Sequence, residues 1–185
     1  EIKIVYSGTR NQYGKAKYLP VDESHPLNPT DINGINCNAG EAYHLLYNKV
    51  YDLKTCSLRL TNTYGPRHQM KHSRQGVLNW FIRQLIDGEK IKLFGTGEQI
   101  RDVNYVDDVV DVCLKIDQLK KNTGQIFNIG TGTETTIKEI VDRISQLTGH
   151  KPKCLWDKDG RSWDTETWFA SCAKTEKILG WKYTT

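Results

Sequence analysis

Residues 34–60, GINCNAGEAYHLLYNKVYDLKTCSLRL, carry two periodicities in succession. Ala39, Tyr43, Leu46, Tyr47 and Val50 recur at three- and four-residue steps, so a helix is predicted from Gly34 to Tyr51. Cys56 to Leu60 then alternates apolar and polar residues, as a strand does. Upstream, the β-branched run from Ile2 to Tyr6 reads as a buried strand. Between the two lies the loop YLPVDESHPLNPTD, where Pro20, Pro26 and Pro29 forbid a continuous helix. Such a long connection points to a functional role. The rhythm continues downstream. Val77 to Ile86 reads as an amphipathic helix, Ile91 to Phe94 as a strand, and Val106 to Leu119 as a helix whose first turn carries Asp107 and Asp108. Gln125 to Ile129 is a predicted strand, and Thr136 to Leu147 a helix capped by Thr135 or Thr136 and stopped at Gly149. Lys153 to Thr185 is less regular, with one helix from Ala173 to Leu179. Strands alternating with helices predict an α/β fold with parallel pairing.

The chain has 185 residues with 37% hydrophobic and 26% charged, enough for one domain or one and a piece, and not the composition of a disordered chain. No apolar run is long enough to span a bilayer, and the first residues lack the layout of a signal peptide, so no membrane association is expected. Twenty-six basic against 22 acidic residues give +4, with the two signs interleaved. That suits a phosphate-bearing small ligand, and without a basic stripe no nucleic-acid binding is expected. Cys37, Cys56, Cys113, Cys154 and Cys172 are odd in number and widely spaced, which argues against a disulfide framework and for a reducing, cytoplasmic setting.

Isolated motifs are weak. Gly130-Thr-Gly132 follows a strand and precedes a helix, but Thr135 stands where a dinucleotide fingerprint has its third glycine, and a plain strand-to-helix turn is the simpler reading. Gly95-Thr-Gly97 precedes Arg101 and Asp102, a placement that can present a guanidinium to a diphosphate or form a surface salt bridge. His68 and His72 share helical spacing without a carboxylate ligand nearby, so no metal site is expected. Trp156, Trp163 and Trp168 read as core aromatics rather than a base-stacking platform.

Several segments read together are specific. In order they are VYSGTRNQYGK, LPVDESHPLNP, NAGEAYHLLYNKVYDLKTCSLRLTNTYGPR, KLFGTGEQIRDVNYVDDVV, GQIFNIGTG, GRSWD and KILGW. This series resembles the extended short-chain dehydrogenase/reductases that act on nucleotide sugars, among them UDP-glucose 4-epimerases and dTDP-glucose 4,6-dehydratases. The resemblance covers nearly the whole chain. It implies a partial Rossmann-type parallel sheet plus a small α/β substrate-binding domain. Residues 1–65, with later segments about 98–130, belong to the first, and 66–185 mainly to the second. It also implies that the Gly-rich pyrophosphate loop precedes this sequence, so NAD, the family's cofactor, is bound poorly by this chain alone.

Residue by residue, the resemblance makes Thr9 the family's catalytic Ser/Thr, four residues before Tyr13. Where the dehydratases carry Asp and Glu, this chain has Arg10 and Asn11, neither of which titrates near neutral pH, which argues against a dehydratase. The family's Tyr-x-x-x-Lys pair aligns with Asn33 and Cys37, so both catalytic residues are replaced, and Tyr13 or a repositioned side chain is left as a speculative base. Cys37 is read as an inert helix-face thiol rather than a reactive one. In the substrate half, Asn62 matches the family's phosphate-contacting Asn, with Arg59 and Tyr64 as framework. Arg101 matches the diphosphate Arg, and Arg161 with Asp164 matches R-P-G-D, though Ser162-Trp163 replaces its Pro-Gly. Leu93 and Phe94 fall where the strand lines the base pocket, and Thr61 is the one cofactor contact implied here. The expectation is a nucleotide-sugar epimerase-like protein that carries mainly the substrate grip. The alternatives are a non-catalytic nucleotide-sugar-binding protein and a structural fragment that self-associates or dimerises through the helix beginning at Gly34.

Overall fold

A computed structural model describes residues 3–71, 76–119, 123–157 and 166–185. The chain starts with β1 (Lys3–Thr9), a 3-10 turn (Arg10–Gln12), the long loop, α1 (Ile32–Tyr51) and β2 (Lys54–Leu60). Short β3 (Asn62–Tyr64) leads through a loop to α2 (Val77–Ile86), β4 (Lys90–Phe94), β5 (Ile100–Arg101) and β6 (Val103–Tyr105). Then follow α3 (Val106–Asp117), β7 (Gln125–Ile129), β8 (Thr135–Thr136), α4 (Ile137–Thr148), β9 (Lys153–Asp157) and α5 (Ala173–Leu179).

β1, β2 and β7 form a parallel sheet in the order β1-β2-β7, the last strands of a Rossmann-type arrangement, as the strand and helix alternation predicted. α1 forms the crossover from β1 to β2. Its N-terminus is set by Asp31, whose carboxylate accepts the Gly34 N–H at 2.6 Å, and it ends at Asp52 in the left-handed region. A side chain at Gly34 would collide with the Asn11 carbonyl oxygen, so glycine here lets the helix start abut the 3-10 turn.

The apolar face of the sheet is closed by α3 and the chain end. Cys56, Leu58, Phe127 and Ile129 pack with Val112, Ile116 and Trp181. Asp108 does more than favour a helix start: it is buried, and its carboxylate accepts the Thr184 N–H and hydroxyl at 2.9 Å each. The Trp181 indole N–H donates to the Asp108 carbonyl, so α5 and the last residues return to the sheet.

A second core joins α2, β4, α4 and β9, with Leu78, Phe81, Leu85, Ile91, Leu93, Ile140 and Ile144 buried together. Thr136, rather than Thr135, caps α4 through a reciprocal capping box with Glu139. β9 lies in the stretch read as irregular. It pairs parallel with β4, and its apolar residues Cys154, Leu155 and Trp156 are consecutive rather than alternating, so they give no period-two signal. Among the described residues no helix is long and apolar enough to cross a membrane.

Candidate functional site

The C-terminal ends of the parallel strands meet where α/β sheets place their ligands. Thr9 aligns with Leu60, and Leu60 with Ile129, so Thr9, Thr61, Asn62 and the Gly130-Thr-Gly132 turn share one edge. Thr9 ends β1 and caps the 3-10 turn: its hydroxyl accepts the Asn11 N–H at 3.3 Å, while its own N–H donates to the Gln12 side-chain oxygen at 2.9 Å. The cap uses an acceptor lone pair and leaves the hydroxyl proton to donate. Asn11 turns to α1, donating to Asp31 at 2.8 Å.

Asn33 and Cys37 lie one turn apart on α1, with the Cys37 thiol 3.9 Å from the Asn33 oxygen. The Tyr6 hydroxyl donates to the Cys37 carbonyl at 3.4 Å, and burial raises the Tyr6 pKa, with Cys37 and Glu41 adding to the rise. Tyr13 does not supply the missing base. It is fully buried, donates to the Asn128 side-chain oxygen at 2.6 Å, and burial pushes its pKa far up. A phenol that is shielded and hydrogen-bonded in its neutral form cannot collect a substrate proton near neutral pH. Among the cysteines, burial raises the thiols of Cys56, Cys113 and Cys154, and that of Cys172 to about 12, the opposite of what a nucleophile needs. All five are free.

The polar face of the sheet holds an ion pair that sequence reading did not anticipate. Glu41 of α1 accepts from the Ser57 hydroxyl at 2.6 Å and the Arg59 Nε at 3.0 Å, with a second bond from the Arg59 Nη2. Both charged residues are buried, and the Arg59 guanidinium lies 4.6 Å from the Tyr13 ring centroid. The signal was present: Ser57 and Arg59 alternate with apolar residues in a strand buried on both faces, which demands a buried partner.

The substrate-side residues fall on two short strand pairs. Asn62 begins β3 beside Val103, and its N–H donates to the Asp102 carbonyl at 3.1 Å. Arg101 ends β5, pairs with Thr135 and is buried. Asp102 is fully buried and accepts the N–H groups of Thr131 (2.8 Å), Gly132 (3.1 Å) and Ala170 (3.0 Å) and the Thr131 hydroxyl (3.0 Å). Burial still raises its pKa above the usual carboxylate value, against those four bonds. The Gly130-Thr-Gly132 turn is therefore held by this carboxylate, and its amides are engaged rather than open to a pyrophosphate. Among the described residues, this turn offers a dinucleotide no open Thr131 or Gly132 amide, and Cys37 stands where the family has its lysine. Thr61, whose buried hydroxyl has no partner among the described residues, is one group and not a site.

Leu93 is 2% exposed and belongs to the core around α2 and α4, so it has no surface for a base, whereas Phe94 is half-buried. Tyr64 is half-buried against Tyr105, ring centroids 5.4 Å apart. Arg161, Ser162, Trp163 and Asp164, like His72, lie outside the described residues. Trp168 is buried as expected of a core aromatic, but Trp156 is 44% exposed. A cavity of about 550 Å3 opens between α2 and α4, lined by Tyr64, Leu78, Ile82, Val103, Ile140 and Ile144; it reaches Tyr64 but not Asn62, Leu93, Phe94 or Arg101.

Residues 1–130 match the NAD dependent epimerase/dehydratase family. A UDP-glucose 4-epimerase of Mycolicibacterium smegmatis is 36% identical over 97% of this chain and 57% of its own length. The UDP-glucose 4-epimerase of Thermotoga maritima, solved with UDP-glucose, superimposes with a TM-score of 0.91 at 31% identity, over 99% of this chain and 59% of that one. The Thermus thermophilus UDP-glucose 4-epimerase, solved with NAD, gives 0.85 at 27%, over 99% and 59%. The chain thus spans under two thirds of the proteins it matches.

Proposed function

The chain belongs to the NAD dependent epimerase/dehydratase family, and from that premise we propose that it carries mainly the substrate-binding part of a nucleotide-sugar epimerase-like protein. In the intact protein the reaction is reversible NAD-linked oxidation of a sugar hydroxyl followed by reduction. The observation that supports this most is the part Asp102 plays between these segments: its main-chain carbonyl accepts the Asn62 N–H at the start of β3, and its buried carboxylate, next in sequence to Arg101, holds the Gly130 turn and the segment at Ala170. Asn62 and Arg101 are thereby braced for a diphosphate, whose charge-assisted bonds to a guanidinium are worth about 1.5 to 3 kcal/mol each. The likeness to a UDP-glucose 4-epimerase solved with UDP-glucose supports the same ligand class. Arg161 and Asp164 complete the grip in this proposal, and Thr9 is its sugar-contacting hydroxyl. With Asn33 and Cys37 on α1 and Tyr13 buried, no base stands ready among the described residues, so turnover by this chain alone is expected to be negligible.

The proposal includes self-association and a cytoplasmic setting. Ile35, Tyr43, Leu46, Val50 and Tyr51 form an exposed apolar face on α1, larger than scattered surface residues. Five free thiols suit a reducing compartment. The test is calorimetric titration with UDP-, dTDP-, CDP- and GDP-sugars, with sedimentation velocity on the same preparation. Micromolar binding abolished by Arg101→Ala, by a dimer, is the expected result. A folded chain that binds none of the panel overturns the reading.

A further inference from the structure

We propose that His25 is a latch that holds the loop of residues 14–31 closed while its imidazole is neutral and releases it in acid. The ring is buried, 3% exposed, and main-chain groups with fixed roles engage both of its nitrogens. Nε2 lies 2.9 Å from the Lys17 nitrogen, whose N–H can only donate, so Nε2 must present its lone pair. Nδ1 lies 2.8 Å from the Pro26 carbonyl oxygen, which can only accept, so Nδ1 carries the ring proton. One tautomer of the neutral ring satisfies both partners. A second proton, on Nε2, would meet the Lys17 N–H donor to donor and break the span from Lys17 to Pro26.

Among the described residues no carboxylate forms an ion pair with this ring. Tyr13 meets it edge-on, centroids 5.6 Å apart, and Tyr18 lies tilted at 4.8 Å. Asp22 accepts the Tyr18 hydroxyl and the Ser24 N–H at 2.9 Å each, and Glu23 accepts the Asn128 N–H at 2.7 Å. Arg59, paired with Glu41, lies over the Tyr13 ring, and Arg10 lies over the neighbouring Trp168 ring. The Lys17 side chain is exposed. A charge on His25 would therefore be buried without a counter-ion, a state that opening the loop to water relieves.

The latch bears on the candidate site through Val21, which lies between its two anchors and is fully buried. The Val21 N–H donates to the Phe169 carbonyl at 3.0 Å, and its carbonyl accepts the Ser171 N–H at 2.7 Å and the Asn128 Nδ2 at 2.9 Å. Ala170, between those partners, donates its N–H to the Asp102 carboxylate. Opening the loop strips this segment of its pairing with Val21 and so loosens what Asp102 holds. The closed loop accepts only the neutral ring. Its stability is therefore present at neutral pH and is lost as pH falls through ~6.5, where an imidazole in water takes up its proton. The bearing on ligand binding rests on the substrate-grip reading above, whereas the latch itself does not.

The experiment is amide hydrogen exchange of the whole chain, corrected for the intrinsic pH dependence of exchange, with peptides from α2 and β4 as the internal reference. Between about pH 7.5 and about pH 5.5 the protection of residues 14–31 is expected to fall roughly tenfold relative to that reference. His25→Gln, whose side-chain oxygen can still accept the Lys17 N–H but cannot titrate, is expected to abolish the fall. Unchanged protection in the native chain overturns the proposal, and so does an equal fall in the variant, which would assign it to Asp22, Glu23 or Asp102. Should the variant not fold, the ring nitrogen resonances of the native chain decide. A ring still neutral at the lower pH, or a charged ring with the Lys17 amide still protected, overturns the latch. UDP-glucose at about ten times its Kd is expected to raise the loop's protection roughly tenfold. Binding without that rise would disconnect the latch from the site. If UDP-glucose does not bind, the substrate-grip reading loses its support, while the exchange profile still decides the latch.

Discussion

The two faces of β2 are held by opposite physics. On one, Cys56 and Leu58 join Val112, Ile116, Phe127 and Ile129 in a dry core. On the other, Ser57 and Arg59 meet Glu41, and Asn128, level with Arg59 in the sheet, accepts from Tyr13 and donates to the Val21 carbonyl. Strands of buried parallel sheets are usually apolar throughout. Here one face spends charge where hydrocarbon would serve, and that face carries α1, the loop of Tyr13 and Trp168, all leading to the candidate site. The apolar face gains stability from area removed from water, which tolerates small shifts. The polar face gains geometry, because each buried group must find a particular partner.

The sharpest way to break this comparison is Arg59→Met, which leaves the Glu41 carboxylate buried and uncompensated. A loss of about 3 to 5 kcal/mol is expected in urea unfolding. The double variant Glu41→Leu with Arg59→Met should recover most of it, because an apolar pair of similar volume needs no partner. A double variant as unstable as the single would show that the pair itself, and not the orphaned charge, sets the cost. Next in size is Leu58→Ala, one residue away on the dry face, expected to cost about 2 to 4 kcal/mol without any rescue by a polar neighbour. If it proves as mild as a surface substitution, the division into faces does not hold.

The smallest effect concerns pH and Asp102. Burial raises its folded-state pKa above the ordinary value. Its contribution to stability is therefore fully present below the unfolded pKa and is lost as pH rises through the folded one. Urea midpoints measured from acid to neutral pH should show this decline in the native chain, and Asp102→Asn should flatten it. An unchanged slope in the variant would move the titrating group elsewhere.

Much of the fold was legible because its helices and strands are amphipathic. The helix from Gly34, the strand at Cys56, the amphipathic α2 and the helix stopped at Gly149 all stand near their predicted bounds, since periodicity and caps are local properties. β3, β5, β6 and β8 were not legible, being two or three residues long and made by pairing rather than propensity. In the site, the loss of the Tyr and Lys positions was visible at Asn33 and Cys37. The unsuitability of Tyr13 was not, because nothing in its neighbours along the chain says that Asn128, 115 residues on, takes its hydroxyl. Trp168 was legible as a core aromatic but not as the brace of Arg10.

By itself, then, the sequence determined the alternation of helix and strand, the family of motifs and which titratable residues were lacking, for these depend on residue type and local spacing. Only the tertiary structure decided that Arg59 is paired inside the sheet, that Asp102 closes the Gly130 turn, that Leu93 faces the core, and that Arg10 lies over the Trp168 ring. Each of those depends on which distant segment excludes water from a group, and burial and partner choice are set by packing, not by position along the chain.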